Sequence, residues 1–263
     1  MALTLAEKMQ IENEFYDQLT NHHDTTFIWQ GDNLIVYGSL YIKNIPRCSN
    51  NYLTEIRGRL LLPVSYVNNS QQVVEFPNLR LVSDFIEIYA NTTLIAPNLE
   101  VCGTDIYCFK GGLDLPKLKK VKGKIHIAGP TKELNLPSLE SAAAISLSDV
   151  YDVKFDSLVF IGSYLLLSKI SYIEFPELAS ANRIAIHNGT TLSLPLIEEL
   201  NGITATHDSV MWLPSLQVVK YSVTLRENSV VIVPQSYKQL QHKATHYIDD
   251  TSALTYLEDT ERI

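Results

Sequence analysis

The sequence has little cysteine, no long apolar run and a deficit of positive charge, and each shortage excludes a class of protein. Its 263 residues include 3 cysteines, too few for a dense disulfide framework, which indicates a reducing compartment. No run of about 18 apolar residues exists to form a transmembrane helix, and the first ten residues lack the basic and apolar regions of a secretory signal. The 29 acidic and 21 basic residues give a net charge of −8, which disfavours nucleic acid and anionic membranes as partners. We therefore expect a cytoplasmic protein.

What the sequence does contain is a repeat of about 20 residues that is marked by proline. Repeats with periods of this size are typical of solenoids, in which each unit is one coil of a stacked structure. The steps between markers are 19 to 21 residues, and Asp156 occupies the slot where one proline is missing. The marker prolines are Pro77, Pro97, Pro116, Pro137, Pro176, Pro195, Pro214 and Pro234.

Six apolar positions keep fixed offsets from the marker in each coil. In the coil of Pro116 they are Leu113, Leu115, Leu118, Val121, Ile125 and Ile127. The alternating pairs at the start and end of this set predict two short strands, each with one face buried. A strand pair this short cannot bury its apolar face alone, and stacked coils would align like residues into a continuous core. The sequence therefore predicts a mainly β fold, a parallel β-solenoid with coils of about 20 residues.

The ends of the repeat predict two caps and a tail. Residues 1–25 read as a helical cap, because Ile11, Phe15 and Leu19 recur at helical spacing. We expect one solenoid domain over residues 26–242, which ends in a short closing helix at Ser236–His242. Residues 243–263 are polar and acidic and are expected to form a loosely held tail.

The coil phrase resembles that of a known family. Phe76-Pro77-Asn78-Leu79 with Val82, Ile86 and Ile88 returns as Leu115-Pro116-Lys117-Leu118 with Val121, Ile125 and Ile127. These phrases resemble the coils of receptor L domains, leucine-rich-repeat-like right-handed β-helices from growth-factor-receptor ectodomains. The resemblance covers roughly residues 34–234 and implies the architecture and a bias towards binding rather than catalysis.

No catalytic or metal-binding constellation is indicated. Cys102 and Cys108 fall on inward columns and are expected in the core. His187 and His207 do not align in one column, and a triad of His207 with the adjacent Asp208 and Ser209 is disfavoured, because neighbours on one turn rarely aim at one another. We expect no enzyme, no catalytic or metal-ligating residues and no cofactor.

The surface offers two candidate features for partner binding. Outward positions on the strands of the N-terminal half form an aromatic-rich strip, and tyrosine is enriched where binding energy concentrates. The strip and an anchor further along the chain are Tyr41, Glu87, Tyr89, Tyr107, Phe109, His126 and Trp212. Beside it lies a lysine cluster in an otherwise acidic chain, which would suit an acidic or phosphate-bearing partner. Its members are Lys110, Lys117, Lys119, Lys120, Lys122 and Lys124. Outward tyrosines that merely suit strands, and lysines that only solvate an edge, are the alternatives.

The leading hypothesis is a non-enzymatic scaffold that binds a protein through a rigid solenoid face. One subtype is a stand-alone inhibitor, for instance of viral or mobile-element origin. The alternatives are a carbohydrate-binding or carbohydrate-cleaving β-helix protein and a self-assembling structural component.

Overall fold

The computed structural model is mainly β, with 55 % strand and 6 % helix, which confirms the predicted fold class. It describes residues 2–20, 24–43, 47–62, 72–131, 134–151, 153–237 and 244–257. Parallel strands of successive coils stack into a β-solenoid. The chain divides into two compact units, residues 1–136 (unit 1) and residues 137–263 (unit 2). The single solenoid domain over residues 26–242 stays a prediction.

Unit 1 begins with a helix and continues with strands of two to twelve residues. Its described elements are α1 (Leu5–Tyr16), β1 (Thr26–Gln30), β2 (Asn33–Tyr37), β3 (Leu40–Tyr41), β4 (Arg47–Ser49), β5 (Leu53–Arg57), β6 (Leu60–Leu62), β7 (Gln72–Glu75), β8 (Leu81–Val82), β9 (Ile86–Ile88), β10 (Thr92–Ile95), β11 (Val101–Cys102), β12 (Ile106–Phe109), β13 (Gly112–Asp114), β14 (Lys120–Thr131) and β15 (Leu134–Asn135).

The coils of unit 1 have three strand segments each, where the sequence predicted two. The strands β4, β7, β10, β13 and β15 form one parallel ladder. A second runs through β2, β5, β8, β11 and β14, and a third through β3, β6, β9, β12 and β14. The register aligns like residues, since Ile106 lies between Ile86 and Ile125. The extra segment arises because the column of Val82 and Cys102 forms ladder bonds of its own.

The N-terminal cap contains the predicted helix and an antiparallel strand that was not predicted. Thr4 caps α1 in a capping box with Glu7, which satisfies backbone N–H groups at the helix start. Phe15 of the helix stacks on Phe27 of β1 with ring centres 5.7 Å apart, and β1 pairs antiparallel with β2. Leu19, just beyond the helix, forms a second antiparallel bridge to Ile42.

Unit 2 continues the same coil in longer strands. Its described strands are β16 (Ser141–Val150), β17 (Phe160–Ser168), β18 (Ile173–Glu174), β19 (Ser180–His187), β20 (Thr191–Ser193), β21 (Glu199–Thr206), β22 (Val210–Trp212), β23 (Val218–Arg226), β24 (Val230–Pro234), β25 (Thr245–Ile248) and β26 (Ala253–Leu257). One parallel ladder runs through β16, β17, β19, β21, β23 and β25, and the other through β18, β20, β22, β24 and β26.

The prediction of a loosely held tail from residue 243 onward is wrong for the residues that the structure describes there. The strands β25 and β26 extend both ladders of unit 2 by one more coil, with Val223 beside His246 and Val231 beside Leu254. The repeat pattern did not reveal this coil, because the spacing between equivalent positions lengthens from about 20 to 23 residues and no proline marks the coil. The predicted closing helix lies outside the described residues except for its first two positions.

The six apolar columns form the core of both units, as predicted. Their described members are buried, with one exception, Val153, which is half-buried. Bends between coil sides depend on glycine at close approaches: a Cβ on Gly103 would lie 1.8 Å from the carbonyl oxygen of Ser83.

Unit 2 also contains an internal column of hydroxyl groups, formed by Thr190, Ser209, Ser229 and Ser252. The Thr190 hydroxyl donates to the carbonyl of His187 at 2.6 Å and accepts from the N–H of Ile170 at 3.3 Å. The N–H groups of Ser209 and Ser229 donate in the same way to the hydroxyls of Ser229 and Ser252, at 3.4 and 3.1 Å. The hydroxyls thus form hydrogen bonds with backbone N–H and carbonyl groups in turns, where no neighbouring strand supplies a partner.

Candidate functional site

Five rings form one contiguous cluster in unit 1, three on β12 and β14 and two directly before and after β9. We call Phe85, Tyr89, Tyr107, Phe109 and His126 the aromatic cluster. Phe109 lies at its centre, with its ring centre 5.6 Å from those of both Tyr89 and His126. Tyr107 lies 6.3 Å from Phe109 and from His126 and 6.4 Å from Phe85. These separations are those of interacting aromatic pairs.

The cluster follows from strand alternation and register. Residues two apart on a strand share a face, so Tyr107 and Phe109 of β12 point outward together while Cys108 between them is buried. The parallel register then places Tyr107 between Glu87 and His126 of the neighbouring coils. All five rings are half-buried, so each keeps a minor part of its surface accessible to solvent.

Carboxylates at the margin hold the two tyrosines in place. The Tyr89 hydroxyl donates to Glu87 Oε1 at 2.6 Å, and the Tyr107 hydroxyl donates to Asp105 Oδ2 at 2.9 Å. The other oxygen of Asp105 accepts from the backbone N–H of Lys124 at 2.6 Å. The acidic groups therefore fix the ring orientations as well as carrying charge.

Two cationic side chains border the cluster. The guanidinium of Arg59 lies 5.0 Å from the ring centre of Phe85 and forms an ion pair with Asp84, Nε to Oδ2 at 3.1 Å. On the opposite side, burial lowers the pKa of His126, and the nearby positive charge of Lys124 lowers this pKa further. Both effects favour the uncharged form of the His126 ring.

Five of the six predicted lysines lie on one coil, between Lys117 and Lys124, and Lys110 lies apart from them, directly after β12. We call residues 117–124 the basic segment. Lys119, Lys120 and Lys122 are exposed, and they form no ion pair within the described parts of the chain. Lys117 donates to Asn98 Oδ1 at 2.7 Å, and half-buried Lys124 adjoins His126 on the same face of β14.

The structure brings together some of the predicted binding residues and separates others. Glu87, Tyr89, Tyr107, Phe109 and His126 meet at the cluster, as described above. Tyr41 lies in the same column but two coils away, with Leu61 between it and Glu87. Trp212 lies in unit 2 on β22, between Ser193 and Ile232, with 38 % of its surface exposed.

Sequence reasoning missed Phe85 and Arg59. Both directly precede an inward residue, Ile86 and Leu60, and so fell outside the alternating pairs that defined the outward columns. The available signal was the spacing of two between Phe85 and Glu87, which places both on one face.

The equivalent face of unit 2 differs in chemistry. Its middle column contains small and aliphatic side chains where unit 1 has Glu87, Tyr107 and His126. The column is Ser146, Leu166, Ala185, Thr204 and Thr224, and it ends on one aromatic residue, Tyr247 of β25. The aromatic cluster is therefore not a general consequence of the coil.

No family model, curated protein or solved structure matches this chain. Its function is therefore argued from its own geometry. No helix in the described residues is both long and apolar enough to span a membrane.

The cysteines are core residues, as predicted for Cys102 and Cys108. All three thiols are free and buried, and burial raises the pKa of Cys48 and Cys102 to about 12 and that of Cys108 to about 11. Such thiols are protonated and unreactive at neutral pH. Within the described ranges no group of three or more His, Cys, Asp or Glu is placed to hold a metal ion.

The triad considered around His207 is not assembled. His207 Nε2 lies 2.8 Å from Glu227 Oε2 on the neighbouring coil, and Asp208 accepts instead from the Asn228 side chain at 3.0 Å. The Ser209 hydroxyl is buried and donates to the Thr206 carbonyl at 2.7 Å. A hydroxyl committed in this way is not positioned as a nucleophile.

Proposed function

We propose that this chain is a non-enzymatic binding protein that docks a protein partner on the aromatic cluster of unit 1. The observation that carries the proposal is the set of five contacting, half-buried rings on or directly beside three neighbouring strands. Aromatic side chains supply most hot-spot energy at protein interfaces, particularly when a polar rim surrounds them.

Preorganisation supports this assignment. The rings already stack on one another, and Tyr89 and Tyr107 are tied to Glu87 and Asp105. Binding therefore immobilises few further rotamers, so more of the contact energy contributes to affinity. Such a preorganised surface is suited to a partner whose own interface changes little on binding.

The basic segment indicates the charge of the partner. Lys119, Lys120 and Lys122 are exposed and precede His126 by four to seven residues, in a chain whose net charge is −8. We infer a partner with an apolar protrusion flanked by acidic side chains, which the lysines would attract during encounter. The proposal includes the receptor-L-domain-like character of the coil, a cytoplasmic location and action as a stand-alone inhibitor of that partner.

The test compares the protein with a double variant, Tyr107→Ala with Phe109→Ala. Tyr221→Ala is the matched control, since Tyr221 lies in unit 2 and is 61 % exposed. The immobilised protein should retain one stoichiometric protein from an extract of its own cells, and the control should retain it equally. With the purified partner, the double variant should bind at least about 30-fold more weakly, as expected for loss of two hot-spot side chains. Melting temperatures of all three proteins show whether the fold is intact.

Equal binding by the double variant would contradict the choice of surface. If instead the protein forms oligomers in light scattering that the double variant abolishes, the cluster serves self-assembly and the proposal fails. A second variant, Lys119→Glu with Lys120→Glu, should reduce the association rate and its salt dependence while leaving the dissociation rate nearly unchanged.

A further inference from the structure

Unit 2 contains a groove that the proposed function does not use. It has a volume of about 460 Å³, within the range of pockets that hold small ligands. It runs between two coils at the positions that follow β16 and surround β18. The residues that line it are Val150, Tyr151, Val153, Lys154, Asp156, Ile170, Ser171, Tyr172, Ile173, Glu174 and Pro176.

The groove exists because the repeat is irregular here. Asp156 stands in the slot that proline occupies in the flanking coils, and no strand is present between Val150 and Phe160 in the described residues. Val153, on a column that is otherwise buried, is consequently half-exposed and forms part of the floor. The opening thus lies where the strand segment found in the other coils of unit 2 is reduced to a single bridge residue, Lys154.

Two tyrosines form the apolar surfaces of the groove. Tyr151 and Tyr172 are 57 % and 59 % exposed, among the most exposed large side chains of the protein. Each ring is fixed through its hydroxyl, which donates to a carboxylate two residues away along the chain. Tyr151 donates to Asp149 Oδ1 at 2.9 Å, and Tyr172 donates to Glu174 Oε2 at 3.3 Å. Their faces are therefore held ready for a flat ligand.

The polar lining mixes hydrogen-bond donors and acceptors. Lys154 donates, Asp156 and Glu174 accept, and Ser171 can do both. A ligand rich in hydroxyl groups matches this mixture, because each hydroxyl also donates one hydrogen bond and accepts others. Anions are disfavoured by two carboxylates against one lysine, and an apolar ligand would remove water from all three charged groups.

We propose that this groove binds a neutral oligosaccharide, whose sugar rings pack their C–H faces on Tyr151 and Tyr172 while their hydroxyls bond to Lys154, Asp156 and Glu174. The site is separate from the aromatic cluster and is independent of the proposed function. The proposal concerns binding alone and assigns no hydrolytic role to Asp156 or Glu174.

The test uses a panel of cellohexaose, chitohexaose, xylohexaose and maltohexaose, together with a printed array of neutral glycans. Isothermal titration with the best binder is then repeated on Tyr151→Ala with Tyr172→Ala. Tyr221→Ala is again the matched control, an equally exposed tyrosine of unit 2 outside the groove. At least one neutral glycan should bind, and the double alanine variant should bind at least tenfold more weakly while the control is unchanged, as stacking accounts for a large share of the affinity.

A second pair of variants keeps the test decisive if the alanine protein is unstable. Tyr151→Phe with Tyr172→Phe retains both rings and should bind within about threefold of the original protein, whereas Glu174→Gln removes a charged acceptor and should weaken binding several-fold. The proposal is overturned if no neutral glycan binds, if the double alanine variant binds as well as the control, or if peptides from a displayed library occupy the groove while the glycans do not.

Discussion

Replacing Thr190 by valine isolates the contribution of the internal hydroxyl column of unit 2. Valine has nearly the same shape, so the change removes the hydroxyl and leaves the packing intact. The hydroxyl donates to the His187 carbonyl at 2.6 Å and accepts from the Ile170 N–H at 3.3 Å, and Thr190 is fully buried. The variant therefore leaves the buried N–H of Ile170 without this hydrogen-bond acceptor, and the His187 carbonyl loses one of its hydrogen bonds.

The unpaired Ile170 N–H costs about 1–3 kcal/mol and the hydrogen bond lost at the His187 carbonyl about 1 kcal/mol, while the added methyl group returns about 0.8 kcal/mol of burial. We expect Thr190→Val to reduce the free energy of unfolding by about 2 kcal/mol, about thirtyfold in the unfolding equilibrium. Guanidinium unfolding followed by circular dichroism measures the change in the free energy of global unfolding. Native-state hydrogen exchange at Ile170 measures the local effect, which matters because coils of a solenoid can open separately.

The matched control is Thr204→Val, on the outward face of the same unit, where the side chain is half-exposed. Valine is tolerated equally well in strands, so this control should change stability by less than about 0.5 kcal/mol. Equal losses in the two variants, or an Ile170 amide that stays as protected as before, would refute the view that the hydroxyl column stabilises the turns.

Three further predictions concern single positions. Gly103→Ala should destabilise unit 1 by about 3 kcal/mol, since its Cβ would meet the Ser83 carbonyl oxygen at 1.8 Å; a loss below about 1 kcal/mol in urea unfolding would show that the backbone yields easily. His246→Leu should stabilise unit 2 by about 1 kcal/mol, because it removes a buried Nε2 that has no hydrogen-bond partner; a lower melting temperature would contradict this. His126 should titrate below 6.5 in NMR. Because the unfolded chain then binds the proton more tightly, stability should fall as pH drops below 6.5, and Lys124→Gln should raise the His126 pKa; an unchanged pKa would exclude the charge effect.

The coil could be predicted because period-two alternation and a proline marker act together. Leu113 and Leu115, or Ile125 and Ile127, alternate with polar residues, and the constant offset from Pro116 fixes their stacking. The segment of Val82 and Cys102 escaped notice as a strand, because two residues are too few to show alternation. Pairing with the neighbouring coil, which no single coil reveals, defines that segment.

The binding surface could be predicted only in part. Tyr107, Phe109 and His126 were found because they lie on or beside inward pairs, and they do meet. The groove of unit 2 was missed, because sequence patterns report regular coils and the groove results from an irregular one. Asp156 in place of proline was the visible sign, but its consequence depends on how far the chain departs from the strand path.

The antiparallel cap of unit 1 has a consequence for fibril growth. A parallel solenoid is an open template, since an incoming chain could extend it by adopting the same repeat at its end. At the N-terminal end, β1 runs against β2, and Leu19 bridges Ile42 in the same reversed sense. Another molecule arriving there would meet backbone of the wrong direction for its own coils. The cap therefore prevents a second molecule from adding its coils to this end, and so blocks head-to-tail polymerisation there.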